Sequence, residues 1–152
     1  MTGLRTRTVD VAGVRGQVLV GGSGPVSDAV LFVHGNPGTG ADWMPLLNPV
    51  AEFATVLAPD MPGFGGTDKR ANQGYGVPDH AAFLGGVIDE FGVERVHLVA
   101  HDFGGPFALA WASDHLAQVA SITLMGRWGK ERTGPEMAVY GILMTMLMAV
   151  LF

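Results

Sequence analysis

Apolar residues in this chain fall into short unbroken runs separated by glycine- and proline-rich stretches. "AVLFV" (29–33), "ATVLAP" (54–59), "RVHLVA" (95–100) and "VASITLM" (119–125) each have the length of a strand, and runs without polar alternation suit strands covered on both faces. Ahead of them, "TRTVDVAGVRGQVLVGG" alternates apolar and polar positions around a glycine turn, which predicts two antiparallel strands. Helical spacing predicts helices over roughly 41–53, 78–91 and 104–116. Pro45 and Pro49 interrupt the first, whereas Pro106 falls in the first turn of the third, where a helix tolerates proline. Alternating strands and helices imply right-handed crossovers and a mainly parallel sheet flanked by helices, the α/β class. No internal repeat or low-complexity linker interrupts the pattern.

In such sheets, sites gather at the carboxyl ends of strands. Three unusual segments stand there: "HGNPGTGADW" (34–43), "DMPGFGGTD" (60–68) and "HDFGG" (101–105). In the third, Asp102 is flanked two positions away by Ala100 and Gly104, with Gly105 beyond. A sharp strand-to-helix turn needs small residues at those positions, and Asp accepts a positive φ better than most side chains. Held there, its carboxylate faces the free N–H groups of the following helix, stays ionised and can serve as a nucleophile toward carbon. The plainer reading is that Asp102 only caps that helix. Its coincidence with the other two loops favours the nucleophile.

Composition narrows the classes. With 48% hydrophobic and 15% charged residues in 152, the chain has the balance of a packed core. A net charge of −5 without a basic stripe argues against nucleic acid as a partner. The absence of cysteine excludes disulfides and thiolate metal sites, and "MTGLRTRTVDVAG" lacks the apolar stretch of a signal peptide, so a cytoplasmic location is the default expectation. Neither "GGSG" nor "GFGG" carries the Lys and Ser/Thr of a phosphate loop, and both read as turns. Asp60 and Asp68 read as loop hydrogen-bonding groups, since no histidine–carboxylate cluster has ligand spacing; no metal and no cofactor is assigned. Trp43 is expected to pack its loop on the core and Trp111 and Phe107 to fill the buried side of the helix from 104; an approach of Trp128 to the pocket is the less favoured reading.

"HGNPG", "DMPGFGGTD" and "AHDFGG", in this order and spacing, resemble the N-terminal core of α/β-hydrolase-fold enzymes, and Asp in place of the usual Ser is similar to the epoxide hydrolase and haloalkane dehalogenase branch. The resemblance covers residues 8 to about 126. It implies that Asp102 attacks a substrate carbon to form an alkyl-enzyme ester. The backbone N–H groups of Phe103 and Asn36 would form the oxyanion hole. His34, Gly35 and Pro37 shape the Asn36 loop, His34 by hydrogen bonding and not by carrying protons. The implied partners are a small apolar organic substrate, epoxide or alkyl halide, and water. Phe103 stands where dehalogenases usually have a halide-binding Trp, and its ring has no N–H to offer. Gly126 stands where many dehalogenases with an Asn in this loop place a catalytic Glu, and Gly104-Gly105 resembles the "HDWGG" of epoxide hydrolases. The epoxide reading therefore leads, with haloalkane dehalogenation as the alternative. Tyr140 is left unassigned as a ring-opening donor.

Residues 1–126 are expected to form the N-terminal part of the core, and 127–152 the start of a cap or an apolar C-terminal helix; the cap, the last strands, the acid and the water-activating His of the family are missing. Of the five histidines, His97 lies in a strand, His80 and His115 in helices expected at other faces or ends, and His101 should point away from its neighbour Asp102. None takes the family's base position. From Met137 to Phe152 the chain carries no charge, yet these sixteen residues fall short of the about 20 needed for a stable membrane span. Exposed, such a segment would promote self-association. The rival class is therefore a truncated core without turnover, acting as a self-associating or binding protein.

Overall fold

The computed structural model describes residues 3–126. Its sequence-expected strands are all present: β1 (Arg5–Val11), β2 (Val14–Gly22), β3 (Asp28–Val33), β4 (Thr55–Pro59), β5 (Arg95–His101) and β6 (Val119–Met125). Three helices connect them: α1 (Met44–Ala51), α2 (Val77–Glu90) and α3 (Gly104–Asp114). The expected helix over 41–53 begins as a tight 3₁₀ turn, Gly40–Trp43, and becomes α-helical only where Pro45 can occupy the first turn.

One sheet runs in the order β1-β2-β4-β3-β5-β6. Pairings β3–β4, β3–β5 and β5–β6 are parallel, while β2 runs against both β1 and β4. Inserting β4 between β2 and β3 requires a crossover, and this places the ends of β4, β3 and β5 side by side along one edge.

The sheet separates two apolar layers. Ala29, Leu31 and Val33 of β3 pack with Leu98 and Ala100 of β5 against Leu84, Val87 and Ile88 of α2 and Phe107 and Trp111 of α3. Phe32 and Val56 face the other way, onto Trp43 and Leu47. Side chains alternate across a strand, so a continuous apolar run serves both layers, each fully buried Leu, Val or Phe contributing about 1.5–3 kcal/mol. Two expectations need correction. β5 alternates buried with partly exposed positions, and β6 is mostly half-exposed; neither is covered on both faces among the described residues. Among the described residues β6 is the edge strand of the sheet, and its Ile122 face meets the core.

Candidate active site

At the end of β5 the chain turns into α3 within two residues. Asp102 takes a φ of 50°, in the left-handed region, where Asp and Asn are the least strained side chains after glycine. Its N–H donates to the Met125 carbonyl at 3.2 Å, and its carbonyl accepts the Gly105 N–H at 2.9 Å, so both main-chain groups are fixed to neighbouring elements. The backbone comes so close to β3 that a Cβ on Gly104 would run into the carbonyl oxygens of Val33 and His34. The small residue at this position is therefore a steric requirement of the turn.

The carboxylate does not cap α3: no side chain caps that helix, and Oδ2 instead accepts the main-chain N–H of Asn36 at 3.1 Å. Gly35 makes the approach possible, since a Cβ there would meet the Asp102 Cβ at 2.7 Å and His101 Nδ1 at 3.1 Å. The peptide between Asn36 and Pro37 is cis.

His34 ties the loops together. Met61 N–H donates to its Nε2 at 2.9 Å, so that nitrogen carries no proton, and Nδ1–H donates to the Gly35 carbonyl at 2.8 Å. The ring is buried, and burial holds its pKa below the usual histidine value against the pull of the Gly35 carbonyl and the Asp60 and Asp42 carboxylates. A neutral imidazole with both nitrogens engaged is a loop brace. Asp60 is a second brace, its two oxygens accepting the Gly40 and Gly66 N–H groups at 2.8 Å each. Asp68 accepts the Arg15 N–H at 3.2 Å and an Arg70 N–H at 2.6 Å, as a loop-binding carboxylate should.

Beside the elbow lies a cavity of about 530 Å³, whose wall includes His34, Asn36, Phe64, Phe103 and Phe107. The Phe103 ring is 52% exposed. Sequence reasoning missed the wall residues contributed by the 62–80 segment, including Phe64, Lys69, Tyr75 and His80. His80 is the clearest correction, since its helix was expected elsewhere. α2 begins at Val77 with Pro78 in its first turn, which puts position 80 at the same edge as the carboxyl ends of the strands. The "GYGVPDH" start signal was available in the sequence to locate it. Burial lowers its pKa, assisted by the His34 ring and opposed by the Asp79 carboxylate and the Tyr75 carbonyl.

His101 adjoins the elbow, edge-on to Trp43 with ring centroids 6.5 Å apart, while His97 and His115 stand apart. His97 bonds Ser121 Oγ through Nδ1 at 2.8 Å and has Nε2 3.4 Å from Asp28 at the start of β3. His115 stacks on Trp111 at the far end of α3. Trp43 packs on Phe32, as expected. Among the described residues, no group of three His, Cys, Asp or Glu side chains is placed to hold a metal, and no helix is long and apolar enough to cross a membrane. Trp128, Tyr140 and the 137–152 segment lie outside the described residues.

A family model described as the alpha/beta hydrolase fold matches residues 28–143. The chain belongs to the α/β-hydrolase family. Among α/β-hydrolase relatives, it is 35% identical to 2-hydroxy-6-oxo-2,4-heptadienoate hydrolase of Pseudomonas putida over 127 residues, which is 84% of this chain and 42% of the relative. It is 37% identical to fluoroacetate dehalogenase of Burkholderia sp. over 131 residues, 81% of this chain and 41% of the relative. The solved structure of an epoxide hydrolase from Vigna radiata superposes with a TM-score of 0.75 at 25% identity, over 91% of this chain and 46% of that one. The chain thus spans about two fifths of the length of these curated relatives.

Proposed function

We propose that this chain carries the nucleophilic half of a hydrolase for carbon electrophiles, with Asp102 as the nucleophile and an epoxide as the preferred substrate. The observation that carries the reading is the carboxylate held at a φ of 50° on the elbow, 3.1 Å from a loop amide, beside a half-open cavity lined by its neighbours Gly35, Asn36 and Phe103. A carboxylate oxygen attacks an epoxide carbon, the carbon–oxygen bond opens, and the released oxygen takes a proton from an acid, leaving an alkyl ester on Asp102. Hydrolysis by water at the ester carbonyl places negative charge on its oxygen, where the Asn36 and Phe103 N–H groups serve as donors. His34 has both nitrogens engaged and is not the base. No residue of 3–126 is assigned that role.

Two features support the epoxide over a halide. Phe103 offers the cavity a ring without an N–H donor. Gly126, with a φ of 119°, puts no acid at the end of β6, the place where many dehalogenases with an Asn in the first loop have a catalytic Glu. Dehalogenation is the second reading, supported by Asn36 at the cavity wall and by the similarity to a fluoroacetate dehalogenase.

Intact-mass spectrometry after incubation with 1,2-epoxyhexane and, separately, with 1-bromohexane tests the proposal. Either adduct mapping to Asp102 supports the nucleophile, and a faster epoxide reaction supports the preference. Release of diol or bromide with turnover would show that a base is also present. Labelling by neither reagent, or equal labelling of Asp102→Ala, removes the proposal.

A further inference from the structure

We propose that His80 is a specificity-determining residue of this cavity, which hydrogen-bonds a neutral hydroxyl or carbonyl oxygen carried by the substrate away from its reacting carbon. The inference deepens the proposed function and rests on the cavity being its substrate site.

His80 is only 3% exposed, lines the cavity, and its Nδ1 is sealed from solvent without a hydrogen-bond partner. Natural proteins rarely leave a buried polar side-chain atom unpaired, because its desolvation goes uncompensated. The carbonyl of Tyr75 favours a proton on the ring without closing a bond to Nδ1. What holds the imidazole is aromatic contact: it stacks on Phe107 with ring centroids 4.1 Å apart, and the Tyr75 ring stands 6.4 Å away, tilted at 48°. Stacking fixes the plane of the ring but not its rotation within that plane. A half-turn about the terminal torsion, which is broad and roughly two-fold, exchanges nitrogen for carbon at the cavity wall and breaks no bond to Nδ1. In either tautomer the neutral ring has one donor and one acceptor nitrogen, so it can meet either a donor or an acceptor.

A neutral ligand group fits better than a charged one. Burial keeps both His80 and the nearby His34 neutral, and the wall around them is aromatic: Phe64, Tyr75 and Phe107. The cavity's cation, Lys69, is turned to its own loop, donating to the Gly65 carbonyl at 2.7 Å. Phe107 lies three residues into α3 from Gly104, a rise of roughly 4.5 Å along the helix, so the ring stacked on it is set apart from the elbow. A substrate oxygen about four carbons from the electrophile spans a comparable length and is the one tested.

The test compares the rates at which Asp102 is alkylated by 1,2-epoxyhexane and by 5,6-epoxyhexan-1-ol, in the wild type, His80→Phe and His80→Gln. Phe preserves the stack on Phe107 and removes both nitrogens, and Gln restores one polar group. The hydroxy-to-hydrocarbon rate ratio is expected to fall about tenfold in His80→Phe and to recover in part in His80→Gln. As a ratio, it is insensitive to a general loss of fold. An unchanged ratio overturns the inference. A second measurement does not depend on Asp102 chemistry: the His80 ring ¹⁵N resonance, assigned by its loss in His80→Phe, is followed during titration with hexan-1-ol. A shift supports the inference even if neither epoxide labels Asp102, in which case the nucleophile reading alone fails. A resonance that does not move overturns it.

Discussion

The main-chain N–H of Asn36 and the carboxylate of Asp102 meet at 3.1 Å across 66 positions of sequence. A loop amide aimed at a carboxylate with no substrate present is a donor already oriented, so its reorganisation during reaction is small. The same contact makes the elbow and the "HGNP" loop one structural unit, and the predictions below separate its chemistry from its architecture.

Asp102→Asn separates them most directly. Asn has the same size, tolerates a φ of 50° and keeps an oxygen for the Asn36 N–H, but carries no negative charge. Chemical denaturation should find its stability within about 1 kcal/mol of the wild type. Adduct formation with 1,2-epoxyhexane should disappear. Asp102→Ala should lose a further 1–2 kcal/mol or so, because alanine gains nothing to offset the left-handed backbone. Continued labelling of the Asn variant at position 102 would sink the assignment.

Gly104→Ala tests the turn without touching charge. Its Cβ would meet the backbone oxygens of Val33 and His34, and backbone cannot swing aside as a side chain can. We expect a stability loss of about 1–3 kcal/mol, typical of overpacking, together with slower alkylation of Asp102. A variant as stable and as reactive as the wild type would mean that the elbow can move away from the Val33 and His34 carbonyls at no cost.

Much of this architecture is legible in the sequence, for identifiable reasons. Strand positions follow from runs such as "AVLFV", because both sheet faces carry an apolar layer and neither demands polar alternation. The elbow is legible because close approach to β3 leaves room only for glycine at 104. The order of strands is not, since the antiparallel pairing of β2 with β4 joins segments far apart in sequence and depends on twist and packing. Nor was the role of His80 legible from its chemistry, a histidine on an apolar helix face being indistinguishable from a core residue until the start of α2 is placed. The Asn36 amide beside Asp102 is implied by the family resemblance but by no local pattern, because it comes near only once β3 and β5 are paired.

Asp60 offers a test of the second loop. Its two oxygens each accept a backbone N–H at 2.8 Å, from Gly40 and from Gly66. Asn has one acceptor oxygen and would turn its NH₂ toward the other amide. Asp60→Asn should therefore lose about 1–3 kcal/mol in urea denaturation, the cost of one unpaired donor plus a close N–H to N–H contact. Loss of a loop brace beside the cavity should also slow Asp102 alkylation. An unchanged urea midpoint would show that water replaces the carboxylate at no cost.

Acid should weaken the fold in a window set by its buried histidines. Burial lowers the pKa of His34 and of His80 from an ordinary value of 6.5. Above that pH both rings are neutral whether the chain is folded or not, and they contribute no pH dependence. As pH falls below 6.5, the unfolded chain takes up protons that the folded rings refuse, so unfolding is favoured; once pH drops past the lowered values, both states are protonated and the loss levels off. Each histidine can add up to about 1.4 kcal/mol per pH unit within that window. The Asp68 carboxyl, held low first by the Arg15 N–H, acts only below its ordinary 3.8 and so does not overlap the upper part of the window. Urea midpoints measured from pH 8 downward should hold steady to about 6.5 and then decline, with a shallower decline in His80→Phe, which has one fewer group to titrate. A wild-type profile flat through the window, or a His80→Phe profile as steep as the wild type, would show that these rings are protonated as readily inside the fold as outside it.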